Sequence, residues 1–321
     1  MDIDNANQRR KPANDPDAPL KDDMASWVAK NDHERVRDAF ERFELPTTHL
    51  LHKARSGAMV DLLVSNGADV NELCPNYEPA MDKGRLIDAT PLQMVSDWRY
   101  DDERKDVFDR LLEHGADIDM GGGDRPLMMA LRTSAARGGY GEDVAIALLD
   151  RGARAHTEEG EQPVLFEAVQ TGYGATVVKR LLEAGADPSE NVDGQGTALH
   201  HVRDHQPGVV DLLLDYGAKV NAPMGDERIT PLEQAVSYGH ASVVERLLVR
   251  GADYRDLVQK PVWEEVKADA HADKQRIVRA VQSYLDIDKE RATLHQAVAE
   301  VEQGTSPEVA EQPVARRRAR L

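Results

Sequence analysis

The chain has 321 residues, of which 40% are hydrophobic and 31% are charged, a composition typical of globular proteins. Its 58 acidic and 40 basic side chains give a formal charge of −18, which would repel a phosphate backbone and argues against nucleic acid as a partner. No apolar run reaches the roughly 18 residues of a membrane span, and the polar N-terminus lacks the pattern of a secretory signal peptide. We therefore expect a cytoplasmic protein that binds neither membranes nor nucleic acid.

The acidity has two interpretations, namely solubility alone or an electrostatic preference for a basic protein partner. Cys74 is the only cysteine, so an internal disulfide is impossible. We interpret it as a loop or half-buried thiol.

The N-terminal segment, residues 1–21, is polar and proline-rich, which predicts disorder. After it a Gly-Ala dipeptide recurs at residues 67, 115, 152, 185, 217 and 251, with spacings of 48, 37, 33, 32 and 34. A period near 33 residues is typical of a repeat protein.

Each repeat also has a recognisable start, as in Thr230-Pro231-Leu232. Proline suits the first turn of a helix, and the preceding threonine can cap it. Two short apolar stripes at helical spacing follow, and the glycine of the Gly-Ala dipeptide suits the left-handed conformation that ends a helix. One such helical pair cannot bury both stripes, so neighbouring units must stack. Related starts occur at residues 90–92, 125–127, 163–165 and 197–200.

These residues resemble the ankyrin repeat family, whose sequence pattern is matched in full or nearly so by 197–221 and 230–253. A weaker unit begins at Leu51-His52, and the segments 25–43 and 261–286 resemble degenerate caps. The resemblance implies an all-α solenoid of stacked helix-turn-helix units with hairpin fingers, about seven or eight units over residues 22–287.

Three segments depart from the family pattern. The finger at 73–89, LCPNYEPAMDKGRLIDA, is about a dozen residues longer than the others, and loops of this kind are either functional or disordered. Polar inserts are predicted between the helices of two units, at 97–106 and 133–143.

The C-terminal region lies beyond the repeats. We expect a solvated helix at 288–303 and a flexible tail at 304–321, which contains Arg316, Arg317, Arg318 and Arg320. The tail is interpreted as solvated, as docking on the acidic body, as a contact for an acidic partner or as an address. It resembles, loosely, the transport signals of some bacterial type IV secretion substrates.

Two histidines have a spacing that can hold a metal ion. His201 and His205 are four residues apart, a spacing that places two imidazoles on one face of a helix. The metalloprotease motif would require glutamate at Val202, and no third ligand lies nearby in sequence. His200, in the family's Leu-His position, is instead expected to hydrogen-bond to the turn. We expect no catalytic residue, cofactor or metal.

The resemblance implies that partner contacts lie in the fingers and at the two positions before the break between helices. Trp98 and Tyr238 carry most weight, because aromatic residues dominate interface hot spots. Alternatively, Trp98 folds back under its own insert. The predicted partner-binding residues are Tyr77, Met81, Asp97, Trp98, Tyr100, Arg132, Gln170, Asp204, His205, Asp226, Glu227, Ser237 and Tyr238.

The resulting hypothesis is a monomeric, non-enzymatic scaffold that binds a protein partner on the concave face and fingers, as a bacterial effector or regulator. A second hypothesis is an acidic antidote that covers a basic toxin. A remote third is a zinc-dependent protein that uses His201 and His205.

Overall fold

In the computed structural model of the protein, the described residues are 11, 19–77, 87–96, 102–121, 124–132, 140–157 and 161–302. The α-helices in these residues are α1 (Lys21–Ala29), α2 (His33–Arg42), α3 (Gly57–Ser65), α4 (Pro91–Ser96), α5 (Asp102–Glu113), α6 (Pro126–Arg132), α7 (Tyr140–Asp150), α8 (Val164–Thr171), α9 (Ala175–Glu183), α10 (Pro207–Asp215), α11 (Pro231–Tyr238), α12 (Ala241–Val249), α13 (Pro261–Ala268) and α14 (Ala272–Glu302). Short 3-10 helices span Leu51–Lys53, Ala198–His201 and Leu257–Gln259.

Two small antiparallel hairpins complete the secondary structure. β1 (Cys74–Tyr77) pairs with β2 (Ile87–Ala89) at the base of the long finger. β3 (Asn191–Val192) pairs with β4 (Gly196–Thr197) in a shorter finger.

The most regular unit shows why the sequence folds into helical pairs. Thr230 Oγ1 accepts the Glu233 N–H (3.3 Å) while the Glu233 carboxylate accepts the Thr230 N–H (3.1 Å), which forms a capping box with Pro231 at the first turn of α11. After α12, Gly251 has a φ of 87° and the Ala252 N–H donates to the Leu247 carbonyl at 2.9 Å. This left-handed closure recurs at the other five Gly-Ala dipeptides and confirms the predicted helix ends.

The helices form two layers. Each first helix packs against the next along the row formed by Leu51–Lys53, α4, α6, α8, Ala198–His201, α11 and α13. The second helices form the other layer, in which α3 packs on α5, and α7, α9, α10, α12 and α14 pack in series. This arrangement confirms the predicted all-α solenoid.

One continuous apolar core lies between the layers, as expected for a stack in which each unit buries its neighbour's stripes. Tyr173, fully buried after α8, links two units because its hydroxyl donates to the Ala130 carbonyl at 2.9 Å. Not one helix in the described parts of the chain has both the length and the hydropathy needed to cross a membrane.

The two ends of the row are closed by less regular units. At the N-terminal end α1 and α2 pack together. Lys11, which belongs to the segment predicted to be disordered, forms an isolated parallel β-bridge with Phe43. At the C-terminal end Trp263 on α13 and Ile277 on α14 are buried. The Tyr254 hydroxyl donates to the Asp288 carboxylate at 2.6 Å, which ties the last regular unit to α14.

Three local predictions need correction. The predicted boundary at residue 287 falls inside α14, so 288–302 extends the helix of the cap rather than forming a separate one. The ends of both predicted inserts are helical, because α5 begins at Asp102 and α7 at Tyr140. Finally, His201 and His205 do not share a helix, since the 3-10 helix ends at His201 and Val202 is extended, with a ψ of 134°.

Candidate protein-binding face

Eight of the predicted contact residues lie at or just after the C-terminal ends of first helices or at a hairpin tip. We call the surface made of these helix ends and hairpin tips the first-helix face. Arg132 ends α6, Gln170 lies in the last turn of α8, and Ser237 and Tyr238 end α11. Asp204 and His205 follow the 3-10 helix Ala198–His201, and Asp226 and Glu227 form an exposed tip between Met224 and Ile229.

Among the described residues of this face, Tyr238 is the most exposed large apolar side chain. It is 67% exposed and stacks on the His240 ring, with 6.0 Å between ring centroids and 21° between planes. Gly239, in the left-handed conformation at φ 77°, ends α11 directly after it and fixes the point at which the ring leaves the helix. An exposed aromatic ring held this way is suited to be an interface anchor.

A surface depression of about 230 Å³ lies beside the end of α11. Its floor includes the buried Glu233, whose carboxylate accepts a hydrogen bond from Lys260 Nζ at 2.7 Å. Two of the predicted residues share this depression, which is lined by Glu227, Ile229, Glu233, Gln234, Ser237, Lys260, Pro261 and Val262.

Residues of the preceding unit surround His240. Burial lowers the pKa of His240; the negative charge of Asp204 opposes this shift, and the nearby Arg203 and His205 reinforce it. The neutral imidazole is therefore favoured, so the Tyr238–His240 pair presents a largely uncharged aromatic surface.

Several predicted residues also have internal partners. The Asp204 carboxylate accepts the Ser242 N–H at 2.9 Å, and Arg132 pairs with Asp124. The Gln170 carbonyl accepts a hydrogen bond from Arg203 at 2.9 Å. Asp204 and Arg132 therefore help to hold the repeats together, and their role in partner contact stays a prediction.

The finger contributes Tyr77, which pairs with Ile87 and packs against a small separate core of Ile87, Ala89 and Met129. Tyr77 is thus half-buried rather than fully displayed. Met81, Asp97, Trp98 and Tyr100 lie outside the described residues.

His201 and His205 do not form one site. The His201 ring donates through Nε2 to the Gln195 carbonyl (2.8 Å) and packs edge-on against Phe166. His205 is exposed and lies over Gly172. His200 behaves as predicted: Nδ1 accepts the Thr197 N–H, and Nε2 donates to the Ala222 and Ile229 carbonyls, each at 3.1 Å. Burial lowers its pKa.

A different group of potential metal ligands lies at the base of the long finger, where the sequence analysis expected none. His49, His52 and Cys74 each offer a ligand atom, and these atoms lie within 4.8 Å of one another. Burial lowers the pKa of His52 and raises that of Cys74. The signal in the sequence is His-Leu-Leu-His followed by the lone cysteine, but the 21 residues between them conceal the proximity.

Comparison with known proteins agrees with this architecture. Residues 165–257 match the family model "Ankyrin repeats (3 copies)". The solved structure of the human ASB11 ankyrin repeat domain superposes with a TM-score of 0.52 at 22% identity, over 72% of this chain and 96% of that one.

Two curated relatives give the same result by sequence. Rabankyrin-5 from Homo sapiens is 26% identical over 223 residues, which is 65% of this chain and 18% of the relative. The ankyrin repeat and KH domain-containing protein mask-1 from Caenorhabditis elegans is 33% identical over 131 residues, or 39% of this chain and 5% of the relative. The chain thus spans less than a fifth of either relative.

Ankyrin repeats are protein–protein interaction modules, generally without enzymatic activity. Residues 165–257 are therefore ankyrin repeats by sequence, and 72% of the chain has the fold of a solved ankyrin repeat domain.

Proposed function

We propose that this protein is a non-enzymatic scaffold that binds a protein partner on its first-helix face, with Tyr238 as the central anchor. The observation that carries the proposal is the 67% exposed Tyr238 ring beside the depression that Ser237 and Glu227 line. Burying a tyrosine of this kind at the centre of an interface is commonly worth about 2 kcal/mol or more.

The charge of the chain supports a basic partner. The formal charge of −18 attracts a basic surface over a long range. The exposed Glu227 lines the depression, and the exposed Asp226 precedes it in the same hairpin tip. Charges at the rim of an interface act mainly on the association rate, whereas the aromatic anchor slows dissociation.

The experiment is an affinity capture from the native cell lysate, with mass spectrometry of the retained proteins. The baits are the wild type, Tyr238→Ala and Tyr216→Ala. Tyr216 is a matched control, because it is also exposed (42%) but follows the last residue of α10 as its C-cap, in the layer of second helices. A partner lost with Tyr238→Ala and retained with Tyr216→Ala supports the proposal. Equal retention by all three baits would exclude Tyr238 as the anchor.

A Trp98→Ala bait tests the second predicted aromatic anchor in the same experiment. If Trp98 contacts the partner, this bait loses the same protein as Tyr238→Ala. If Trp98 packs under its own insert, the folded Trp98→Ala bait retains the partner that Tyr238→Ala loses.

A second candidate function is an acidic antidote that covers the active cleft of a basic toxin. The acidic tip of Asp226 and Glu227 and the net charge favour it, because charge mimicry needs carboxylates displayed to solvent. The affinity of such an antidote for its toxin should fall steeply as the salt concentration rises. The affinity of an interface anchored by Tyr238 should fall only slightly over the same range.

The bacterial effector hypothesis rests on the arginine-rich C-terminus. Deleting residues 305–321 should abolish delivery of the protein outside the cell while the circular dichroism of the repeats stays that of the wild type. Undiminished delivery by the truncated chain would exclude the tail as a transport signal.

A further inference from the structure

We propose that His49, His52 and Cys74 bind a Zn²⁺ ion at the base of the long finger. The three residues come from the loop before the first repeat, from the 3-10 helix Leu51–Lys53 and from β1. Their ligand atoms lie within 4.8 Å of one another.

The first argument is an internal comparison between two equivalent histidines. His52 and His200 both occupy the Leu-His position of their units, and both donate through Nε2 to a backbone carbonyl before the next unit, that of Ala89 at 3.0 Å and that of Ile229 at 3.1 Å. Nδ1 of His200 accepts the Thr197 N–H, three residues earlier. Among the described residues, no group meets hydrogen-bond geometry with the buried Nδ1 of His52, although the Glu72 backbone lies close enough to raise the pKa of the ring.

The difference arises at the residue three positions before each histidine. In place of Thr197 the first unit has His49, which adopts a left-handed backbone with a φ of 60°. Its N–H therefore points to the Glu72 carboxylate at 2.7 Å instead of to His52. The left-handed conformation costs free energy for a residue other than glycine, and backbone strain of this kind is common at functional sites.

His49 carries the second buried nitrogen without a hydrogen bond. Its Nδ1 lies 3.5 Å from Glu72 Oε1, and within the described part of the chain no group meets hydrogen-bond geometry with it. Two imidazole nitrogens left unsatisfied side by side are unusual, since buried polar groups nearly always have partners. A metal ion would satisfy both at once.

The donor set favours zinc. Imidazole nitrogen with thiolate sulfur is a typical Zn²⁺ ligand combination, and the ligand atoms of a tetrahedral zinc lie about 3.3–3.6 Å apart. The three ligand atoms, which lie within 4.8 Å of one another, would have to approach by about 1 Å to reach that spacing. Glu72 is placed to complete the shell or to hold His49. The His52 Nε2–H bond to the Ala89 carbonyl is the outer contact that usually orients a zinc-bound histidine.

Zinc binding would displace one proton. The S–H bond of Cys74 breaks as the Zn–S bond forms, and the proton passes to solvent, while both imidazoles bind as neutral ligands. Because Cys74 pairs with Ala89 across β1 and β2, the ion would connect both strands of the finger to the first repeat.

The test uses the untagged full-length chain, stripped with EDTA, loaded with excess Zn²⁺, desalted and assayed for metal by mass spectrometry. We expect about one zinc per chain for the wild type and its loss in Cys74→Ser and His52→Gln. Glu72→Gln should bind zinc about 10- to 100-fold more weakly. In the Co²⁺-loaded protein a thiolate-to-cobalt charge-transfer band should appear, and it should be absent from Cys74→Ser.

The matched control is His201→Gln/His205→Gln, which removes two imidazoles elsewhere and should retain the zinc. Circular dichroism confirms that each variant is folded. The cobalt spectrum of the wild type tests thiolate ligation without any substitution, so it does not depend on the folding of a variant. No retained zinc in the wild type, unchanged zinc in folded Cys74→Ser, or a Co²⁺ spectrum without the charge-transfer band would overturn the proposal.

Discussion

The carboxylate of Asp204 accepts a hydrogen bond from the backbone N–H of Ser242, 2.9 Å away in the next repeat. Ser242 lies in the first turn of α12, where backbone N–H groups have no partner within the helix. One repeat thus supplies the helix cap of its neighbour, which couples the stability of the two units through a contact other than the apolar core.

The first prediction is that Asp204→Ala destabilises the repeats by about 1 kcal/mol, the usual cost of removing a helix-capping acceptor. Urea unfolding monitored by circular dichroism measures it. Asp226→Ala serves as the control, since Asp226 is exposed at the hairpin tip and its loss should change stability by no more than about 0.5 kcal/mol. Equal midpoints for Asp204→Ala and the wild type would show that the capping bond contributes nothing.

The second prediction concerns Tyr173, whose buried hydroxyl donates to the Ala130 carbonyl at 2.9 Å. Tyr173→Phe keeps the ring and removes only this hydrogen bond, so it should lower the free energy of unfolding by about 1 kcal/mol. The exposed Tyr216→Phe should leave it unchanged. A Tyr173→Phe protein as stable as the wild type would mean that the bond between units has no net effect.

The third prediction is a loss of stability in mild acid that originates partly at His200. Burial lowers the pKa of this histidine from its ordinary value of 6.5. Below pH 6.5 the unfolded chain therefore binds a proton before the folded chain does, so stability is fully present above that pH and falls as the pH decreases.

Urea midpoints measured at several pH values from 7.5 down to about 5 test this prediction. His200→Gln should be less stable at neutral pH, because it loses buried hydrogen bonds, but should show a shallower decline with acid. His205→Gln, which removes an exposed imidazole, serves as the control variant. An unaltered slope in His200→Gln would contradict the assignment.

The fourth prediction separates the two proposed functions by salt. If Tyr238 anchors the partner, raising salt from about 50 to 300 mM should weaken equilibrium binding only a few-fold, because the apolar contact is not screened. An antidote that mimics an anion should lose far more affinity over the same range. A steep decline would favour the antidote over the scaffold.

Much of the fold is encoded by local sequence signals. Thr230 and Pro231 begin α11, and Gly251 ends the helical pair, through backbone geometry that involves only a few neighbouring residues. Both helix ends can therefore be predicted from the sequence. The same holds for His200, whose hydrogen bond to Thr197 lies within one turn.

Features set by tertiary contact were not predictable in this way. Asp204 occupies a position at which the family contacts its partners, yet its acceptor role depends on a residue 38 positions later. The spacing of His201 and His205 suggests one helical face, but the helix ends at His201. Likewise, no local sequence pattern indicates that the fold brings Cys74 close to His49 and His52.

The affinity of the captured partner for three versions of this protein tests the central claim most directly. Isothermal titration of the wild type, Tyr238→Ala and Tyr216→Ala should give a dissociation constant about 30-fold weaker for Tyr238→Ala, which corresponds to about 2 kcal/mol. Tyr216→Ala should bind within about twofold of the wild type. Wild-type affinity in Tyr238→Ala, or an equal loss in both variants, would contradict binding through the first-helix face.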